Sequence, residues 1–237
     1  MDIKVPHILI IIPAYNESEN IKRVVDNLIN DYPQYDYVVV NDGSNDDTAK
    51  ICRDNGYNLI DMPINVGLAG AVQTGLKYAS RKGYNAALQF DGDGQHNPVY
   101  IEDLFNEMNK TNTDIVIGSR FKDKKRNTSL RMLGNTVIEI AIKLTTGQRI
   151  SDPTSGMRLY HKKLIDEFAH NMNYGPEPDT ISYLLCNGAK VSEVQVEMSE
   201  RIAGESYLNL TRSIFYMIKM LVSITVVQKF RKRVVNV

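Results

Sequence analysis

The sequence predicts an α/β fold with a mainly parallel central sheet flanked by helices. Three observations carry this expectation. Apolar runs and helix-period segments alternate at least four times along residues 7–118, the order that builds a parallel sheet with right-handed crossovers. The first runs are continuous, as in His7–Ile12 (HILIII), which suits strands buried on both faces. Three runs end in polar clusters, at Pro13–Glu17, Asp42 and Asp91–Gln95, and open α/β sheets hold ligands at that edge.

In chain order, the first strand is bounded by Pro13, and Ser18 is placed to N-cap a helix running to about Asn30. Its inward face is Ile21, Val24, Val25, Leu28 and Ile29. Tyr37–Val40 is the second strand. Asp46 or Asp47 starts the next helix, and Gly56 stops it. Tyr57–Met62 is a short third strand, and a helix then ends near Gly83. Asn85–Phe90 is the fourth strand and delivers Asp91. Pro98 suits the first turn of a helix to about Lys110, and Asp114–Gly118 is the fifth strand. The second half is less regular. It reads as a helix over Leu130–Thr146, a turn-rich loop over Ser151–Gly156 and a short strand over Met157–Tyr160. Helices to about Ala169 and about Asn187 follow, then a strand within Ala189–Met198 and a long helix over Tyr207–Phe230.

Composition bounds the function. The chain has 237 residues and no net charge, but residues 207–237 carry six basic side chains and no acidic one, leaving residues 1–206 net acidic by six. Two cysteines, Cys52 and Cys186, are too few for a disulfide framework and suit a reducing compartment. No signal peptide is evident at the N-terminus. The basic residues lack interleaved aromatics and form no nucleic-acid reading motif. His7, His161 and His170 lie outside any motif, and only His96 falls within one.

Asp91-Gly92-Asp93 is the centre of the candidate site. Two hard oxygen ligands at that spacing can share one divalent cation, which in turn can carry a phosphate. A plain surface turn is one alternative. A calcium loop is another, since Asp91, Asp93, Gln95 and Glu102 fall at its positions one, three, five and twelve. The calcium loop fails because His96 stands where glycine is needed, Pro98 lies inside it and a strand precedes it. Asn41-Asp42-Gly43-Ser44 resembles a hairpin turn by its dipeptide, but a helical segment follows it.

Six segments, IIPAYNESENI, VVVNDGSNDDT, NVGLAGAVQTGLKYA, LQFDGDGQHNP, VIGSRF and DPTSGMRLY, occur in the order and spacing of family 2 glycosyltransferases, which have the GT-A fold. The chain most resembles the dolichyl- or polyprenyl-phosphate sugar synthases over about residues 7–206. The resemblance implies a catalytic domain over residues 1–206, and the apolar and basic pattern of residues 207–237 reads as a C-terminal amphipathic helix and basic tail. It implies that Pro13, Tyr15 and Glu17 form the nucleoside loop, with Glu17 on the ribose, and that Asp42 meets the base. It implies Mg²⁺ or Mn²⁺ on Asp91, Asp93 and Gln95, with the diphosphate of a UDP- or GDP-sugar. Arg120 and Arg131 match residues that face phosphates. Arg201 and Ser206 match a loop that closes near the donor. Asp152, Ser155 and Gly156 match the subgroup's Asp-x-x-Ser-Gly segment, placed on the acceptor side.

The implied reaction is an inverting single displacement at the anomeric carbon. A lipid-phosphate acceptor needs no general base, whereas a glycan hydroxyl does, and Glu177 and Asp179 are then the candidates. Both also suit a helix's first turn, where acidic residues are favourable. A nucleotide-sugar-binding scaffold without turnover is the third reading, which an intact metal pair opposes. The basic segment Ser119–Arg131 is either a solvated loop or a landing place for an anionic acceptor or lipid. The C-terminal helix is too short in apolar residues to span a bilayer. It suits a segment lying on an anionic membrane face, and the alternative is a helix packed on the core or in a dimer. The expectation is a peripheral enzyme on the cytoplasmic membrane face, with a small membrane partner or homo-oligomerisation assisting its anchoring.

Overall fold

The structure is a computed structural model that describes residues 7–124, 130–171, 175–199 and 210–231. The chain runs β1 (Ile8–Ala14), α1 (Ile21–Asp31), β2 (Asp36–Asn41), α2 (Thr48–Asp54), β3 (Leu59–Asp61), α3 (Gly67–Lys82), β4 (Ala86–Gln89), α4 (Ile101–Thr111) and β5 (Ile115–Ser119). It continues through α5 (Leu130–Thr146), β6 (Arg158–His161), α6 (Lys162–His170), α7 (Pro178–Cys186), β7 (Val191–Gln195) and α8 (Leu210–Thr225). One seven-stranded sheet has the order β3-β2-β1-β4-β6-β5-β7.

Alternation along each strand divides the core in two. Leu9, Ile11, Val38, Val40, Ala87, Ile115 and Tyr160 point to one side, against α3, α5, α6, α7 and α8. Ile8, Ile10, Ile12, Val39, Leu88, Val116 and Leu159 point to the other, against α1 and α4. Every position of β1 is therefore buried, which explains its unbroken apolar run.

The mainly parallel sheet has one inversion. β6 lies between β4 and β5 and is antiparallel to both. It therefore begins at the edge where the parallel strands end, with Arg158 opposite Gln89. The loop that feeds it, 151–157, is brought beside the end of β4.

Several sequence-based boundaries shift. β1 continues through Pro13 to Ala14, because a proline at a strand end leaves its carbonyl free for the ladder. Ser18 does not cap α1: its N–H bonds the Asp46 carboxylate at 3.0 Å, and α1 starts after Asn20. The final helix breaks at Val226 into a short 3-10 turn, Val227–Phe230, and its expected start at Tyr207 lies outside the described residues.

α8 is two-sided. Met220 and Ile224 are buried in the core shared with α5 and α7. Burial at that level contributes roughly 1.5–3 kcal/mol per side chain. Phe215, Ile218 and Val222 face outward, and α5 exposes Leu133, Val137, Ile140 and Leu144 at helical spacing, Leu144 at 82%. The core-packing reading of this helix is thus realised on one face, while its other face is exposed.

Candidate functional site

The site is assembled from loops at the C-terminal edge of β1, β2, β4 and β5. The loops after β1 and β2 are fastened together. Asp42 N–H donates to the Ala14 carbonyl at 2.8 Å, Asn16 N–H to Ser44 Oγ at 3.0 Å, and Asn45 N–H to Asn16 Oδ1 at 2.9 Å. Asn16 holds a positive φ of 55°, which asparagine tolerates better than most residues. Glu17 N–H donates to Thr48 Oγ1 at 2.9 Å, and Glu17 Oε2 accepts from Asn20 at 2.8 Å. Burial works to raise the Asp46 carboxyl, but hydrogen bonds from Thr48 and Ser18 outweigh it and hold Asp46 below the usual carboxylate range. Pro13, Tyr15, Glu17 and Asp42 therefore belong to one braced rim. Asp42 is buried, with Oδ1 accepting from Val66 N–H at 2.8 Å. Tyr15 is the exposed member.

The Asp91–Gln95 turn sits beside this rim. Phe90 N–H donates to the Ile11 carbonyl at 2.9 Å, and a side chain at Gly92 would come within 3.1 Å of the Pro13 carbonyl. The turn is thereby pressed onto the end of β1. Asp93 is buried, and its Oδ1 accepts from Gln95 N–H at 3.0 Å. Asp91 stays about one-third open, with 34% of its side chain exposed. Its N–H donates to His96 Nδ1 at 2.9 Å, so the neutral ring carries its proton on Nε2, 3.6 Å from Asp91 Oδ2. Fully buried Gln89 donates from Nε2 to Asp91 Oδ1 at 3.3 Å. Gly156 closes the other side: a Cβ there would lie 2.5 Å from Asp91 Oδ2.

These residues fit a hard divalent cation. Among the described residues no three His, Cys, Asp or Glu side chains converge on one point. The protein offers two carboxylates and an amide oxygen, a set that suits Mg²⁺ or Mn²⁺ shared with substrate phosphates and water. Glycine at 156 leaves room for that ligation.

At the end of β5, Arg120 grips Asp152 bidentately, Nε to Oδ2 at 2.7 Å and Nη2 to Oδ1 at 2.8 Å. Asp152 is fully buried and also accepts from Arg120 N–H at 3.0 Å. Its carboxylate is therefore engaged with Arg120. Ser155 is likewise buried, donating to the Gly118 carbonyl at 2.6 Å. Glu177 Oε2 accepts from Tyr216, and Asp179 Oδ2 from Ser223 at 2.6 Å, both on α8. Burial, then the Glu177 charge, pushes the Tyr216 phenol well above its ordinary value. Arg201 and Ser206 lie outside the described residues, as does the side chain of Arg131.

The structure thus unites Pro13, Tyr15, Glu17, Asp42, Asp91, Asp93, Gln95 and Gly156 on one edge, and turns Glu177 and Asp179 toward α8. Sequence reasoning missed Gln89 and Arg158. Each is a polar residue at a strand end inside a motif, and only the β4–β6 register shows that they face each other.

Comparison with known proteins is consistent with this geometry. The family model for Glycosyl transferase family 2 matches residues 9–168. The chain is 32% identical over 214 residues to the UDP-N-acetylglucosamine–dolichyl-phosphate N-acetylglucosaminyltransferase of Methanococcus voltae, covering 80% of this chain and 84% of that one. It is 28% identical over 218 residues to the polyprenol monophosphomannose synthase of Mycolicibacterium smegmatis, covering 85% and 80%. Among solved structures, a mannosyltransferase from Pyrobaculum calidifontis in complex with GDP-Man and Mn²⁺ superposes with a TM-score of 0.67 at 16% identity, covering 96% of this chain and 65% of that one. The shared architecture is the GT-A fold.

Proposed function

The chain belongs to glycosyltransferase family 2, and from that premise we propose that it moves a sugar from a nucleoside-diphosphate donor to a polyprenyl phosphate. The observation that carries the acceptor assignment is the engagement of Glu177 and Asp179 by hydroxyls of α8. A glycan hydroxyl needs a base to take its proton, and neither carboxylate is presented as one. A phosphate oxyanion is already a nucleophile. Its oxygen bonds to the anomeric carbon as the bond from that carbon to the diphosphate oxygen breaks, and the nucleoside diphosphate leaves with the electron pair.

In this reading the rim of Pro13, Tyr15, Glu17 and Asp42 seats the nucleoside. Asp91, Asp93 and Gln95 hold Mg²⁺ or Mn²⁺, which when bound neutralises the departing diphosphate. Arg120, oriented by Asp152, faces a phosphate with its remaining N–H groups. Arg131, Arg201 and Ser206 complete the phosphate side by resemblance.

A thermal-shift screen of UDP-, GDP- and dTDP-sugars with Mg²⁺ or Mn²⁺ tests the donor half, since a ligand that binds only the folded chain raises its melting point. Incubation of the stabilising donor with undecaprenyl phosphate tests the acceptor. Metal-dependent stabilisation and a sugar-phosphate-lipid product are expected. No shift with any donor sinks the donor assignment, and a labelled glycan without labelled lipid sinks the acceptor assignment.

The membrane side rests on surface chemistry. Among the described residues no helix is long and apolar enough to cross a bilayer. The outward stripes of α5 and α8 are accompanied by Lys219, Lys229 and Arg231, the pairing that suits an anionic interface. The protein is expected to float with vesicles containing phosphatidylglycerol. It should float less with pure phosphatidylcholine, and the double substitution Leu144→Glu, Phe215→Glu should abolish flotation while keeping the donor-induced shift. Equal flotation of the double variant counts against this face, and a vesicle-independent dimer assigns it to a second copy of the chain instead.

A further inference from the structure

We propose that Arg158 is a positioning residue for the metal-binding carboxylate of Asp91, acting through the 153–156 loop; the inference rests on the assignment of Asp91 as a cation ligand. Arg158 opens β6 and is 1% exposed. Its guanidinium donates from Nε to the Ser155 carbonyl at 2.9 Å, from Nη2 to the Pro153 carbonyl at 2.8 Å and from Nη1 to the Glu177 carbonyl at 3.4 Å. All three acceptors are main-chain oxygens. A full charge removed from water in this way is costly, and an apolar side chain would fill the same space more cheaply. What the charge achieves is geometric: one planar fork draws three carbonyls from two segments to a single point.

The first of those segments ends on Gly156, whose missing side chain lets the backbone lie against Asp91 Oδ2. A small movement of the loop therefore changes the wall of the Asp91 carboxylate directly. The other Asp91 oxygen is reached from the same strand pair. Gln89 lies opposite Arg158 in the β4–β6 register and donates to Asp91 Oδ1. Gln89 Oε1 is buried without a partner, so the described contact that orients this amide is its bond to Asp91. β6 thus fixes one neighbour of each Asp91 oxygen: Gln89 beside Oδ1 through strand pairing, and Gly156 beside Oδ2 through the guanidinium-held loop, where His96 Nε2 also lies 3.6 Å away. Groups one step removed from a metal ligand characteristically change metal affinity by about 10- to 100-fold.

The test is the metal-dependent part of nucleotide affinity, which a loss of stability alone does not move in folded protein. Kd values of UDP and of GDP are measured by calorimetry with and without Mn²⁺, on the full chain and on Arg158→Lys, whose ammonium keeps the charge but cannot fork. The gain on adding Mn²⁺ is expected to fall about tenfold. The metal-free Kd should stay unchanged, because the nucleoside rim stands on β1 and β2. An unchanged gain alongside a lowered melting point makes Arg158 a support of the fold only and overturns the proposal. If Arg158→Lys does not fold, Ser155→Ala carries the test. It frees the same loop from the Gly118 carbonyl without touching the charge, and the gain should fall, in the direction that loss of ligand support predicts. An undiminished gain in that variant overturns the proposal as well. A native chain with no Mn²⁺ gain at all overturns the assignment of Asp91 itself, which separates the two failures.

Discussion

Asp91→Asn is expected to lower sugar transfer by about 10²- to 10³-fold while leaving metal-free nucleotide binding intact. The amide is the same size as the carboxylate and can still be flanked by Gln89 and Gly156, so the fold should tolerate it. What it removes is a negative charge from the pair that shares the cation. Neutralising a departing diphosphate is worth several kcal/mol, and each 1.36 kcal/mol is about tenfold in rate. Asp91 is the more exposed of the pair, whereas Asp93 is buried and also shapes its own turn through Gln95 N–H. Asp93→Asn should therefore lose transfer and some stability together, and Asp91→Asn transfer alone. Initial rates at saturating donor, with Mn²⁺ affinity read from its magnetic resonance signal, check both. An Asp91→Asn protein with native Mn²⁺ affinity and rate would falsify the ligand assignment.

The parts of this site that were legible in the sequence are those written in local chemistry. The unbroken run of β1 announced a strand buried on both faces. The carboxylates after β2 and β4 announced polar turns at one edge of the sheet, and the structure brings those turns together there. α5 spans Leu130–Thr146, the stretch read as a helix from the sequence. The less legible parts depend on strands far apart in sequence. Nothing local says that β6 inserts antiparallel between β4 and β5, so nothing local says that Arg158 meets Gln89. The acceptor-side candidates show the same limit. The motif that holds Asp152 and Ser155 does not show that one is the partner of Arg120 and the other bonds the Gly118 carbonyl. Ser18 has the right identity for a helix cap, but a tertiary bond to Asp46 draws it away.

Asp152→Asn carries the largest expected effect on stability. The native pair is a buried carboxylate clasped by a guanidinium that is still 32% exposed, with two short side-chain bonds and a third from the Arg120 main chain. Asparagine can keep one acceptor oxygen but presents an N–H₂ where the second accepted, directly opposing a donor. Breaking one side of a buried pair costs about 3–5 kcal/mol, and the partial exposure of Arg120 places this case at the lower end, about 3 kcal/mol. For a chain of this size that lowers the melting point by roughly 6–12 °C. Glu193 accepts from Ser151 N–H at 2.8 Å and from Asp152 N–H at 2.9 Å, so the loop itself stays anchored. The damage should then concentrate on Arg120, whose guanidinium loses the partner that aims it. In protein kept well below its melting point, transfer should fall while the donor-free fold, judged by circular dichroism, is native. Arg120→Lys separates the two contributions. It keeps a charge beside Asp152 and so costs less stability, but it cannot make the bidentate grip that holds a phosphate-facing orientation. If Asp152→Asn lowers the melting point and Arg120→Lys leaves transfer at the native rate, the pair is a clasp between β5 and the 151–156 loop and nothing more. If Arg120→Lys loses transfer at near-native stability, Asp152 is buried because it aims the residue that meets the phosphate.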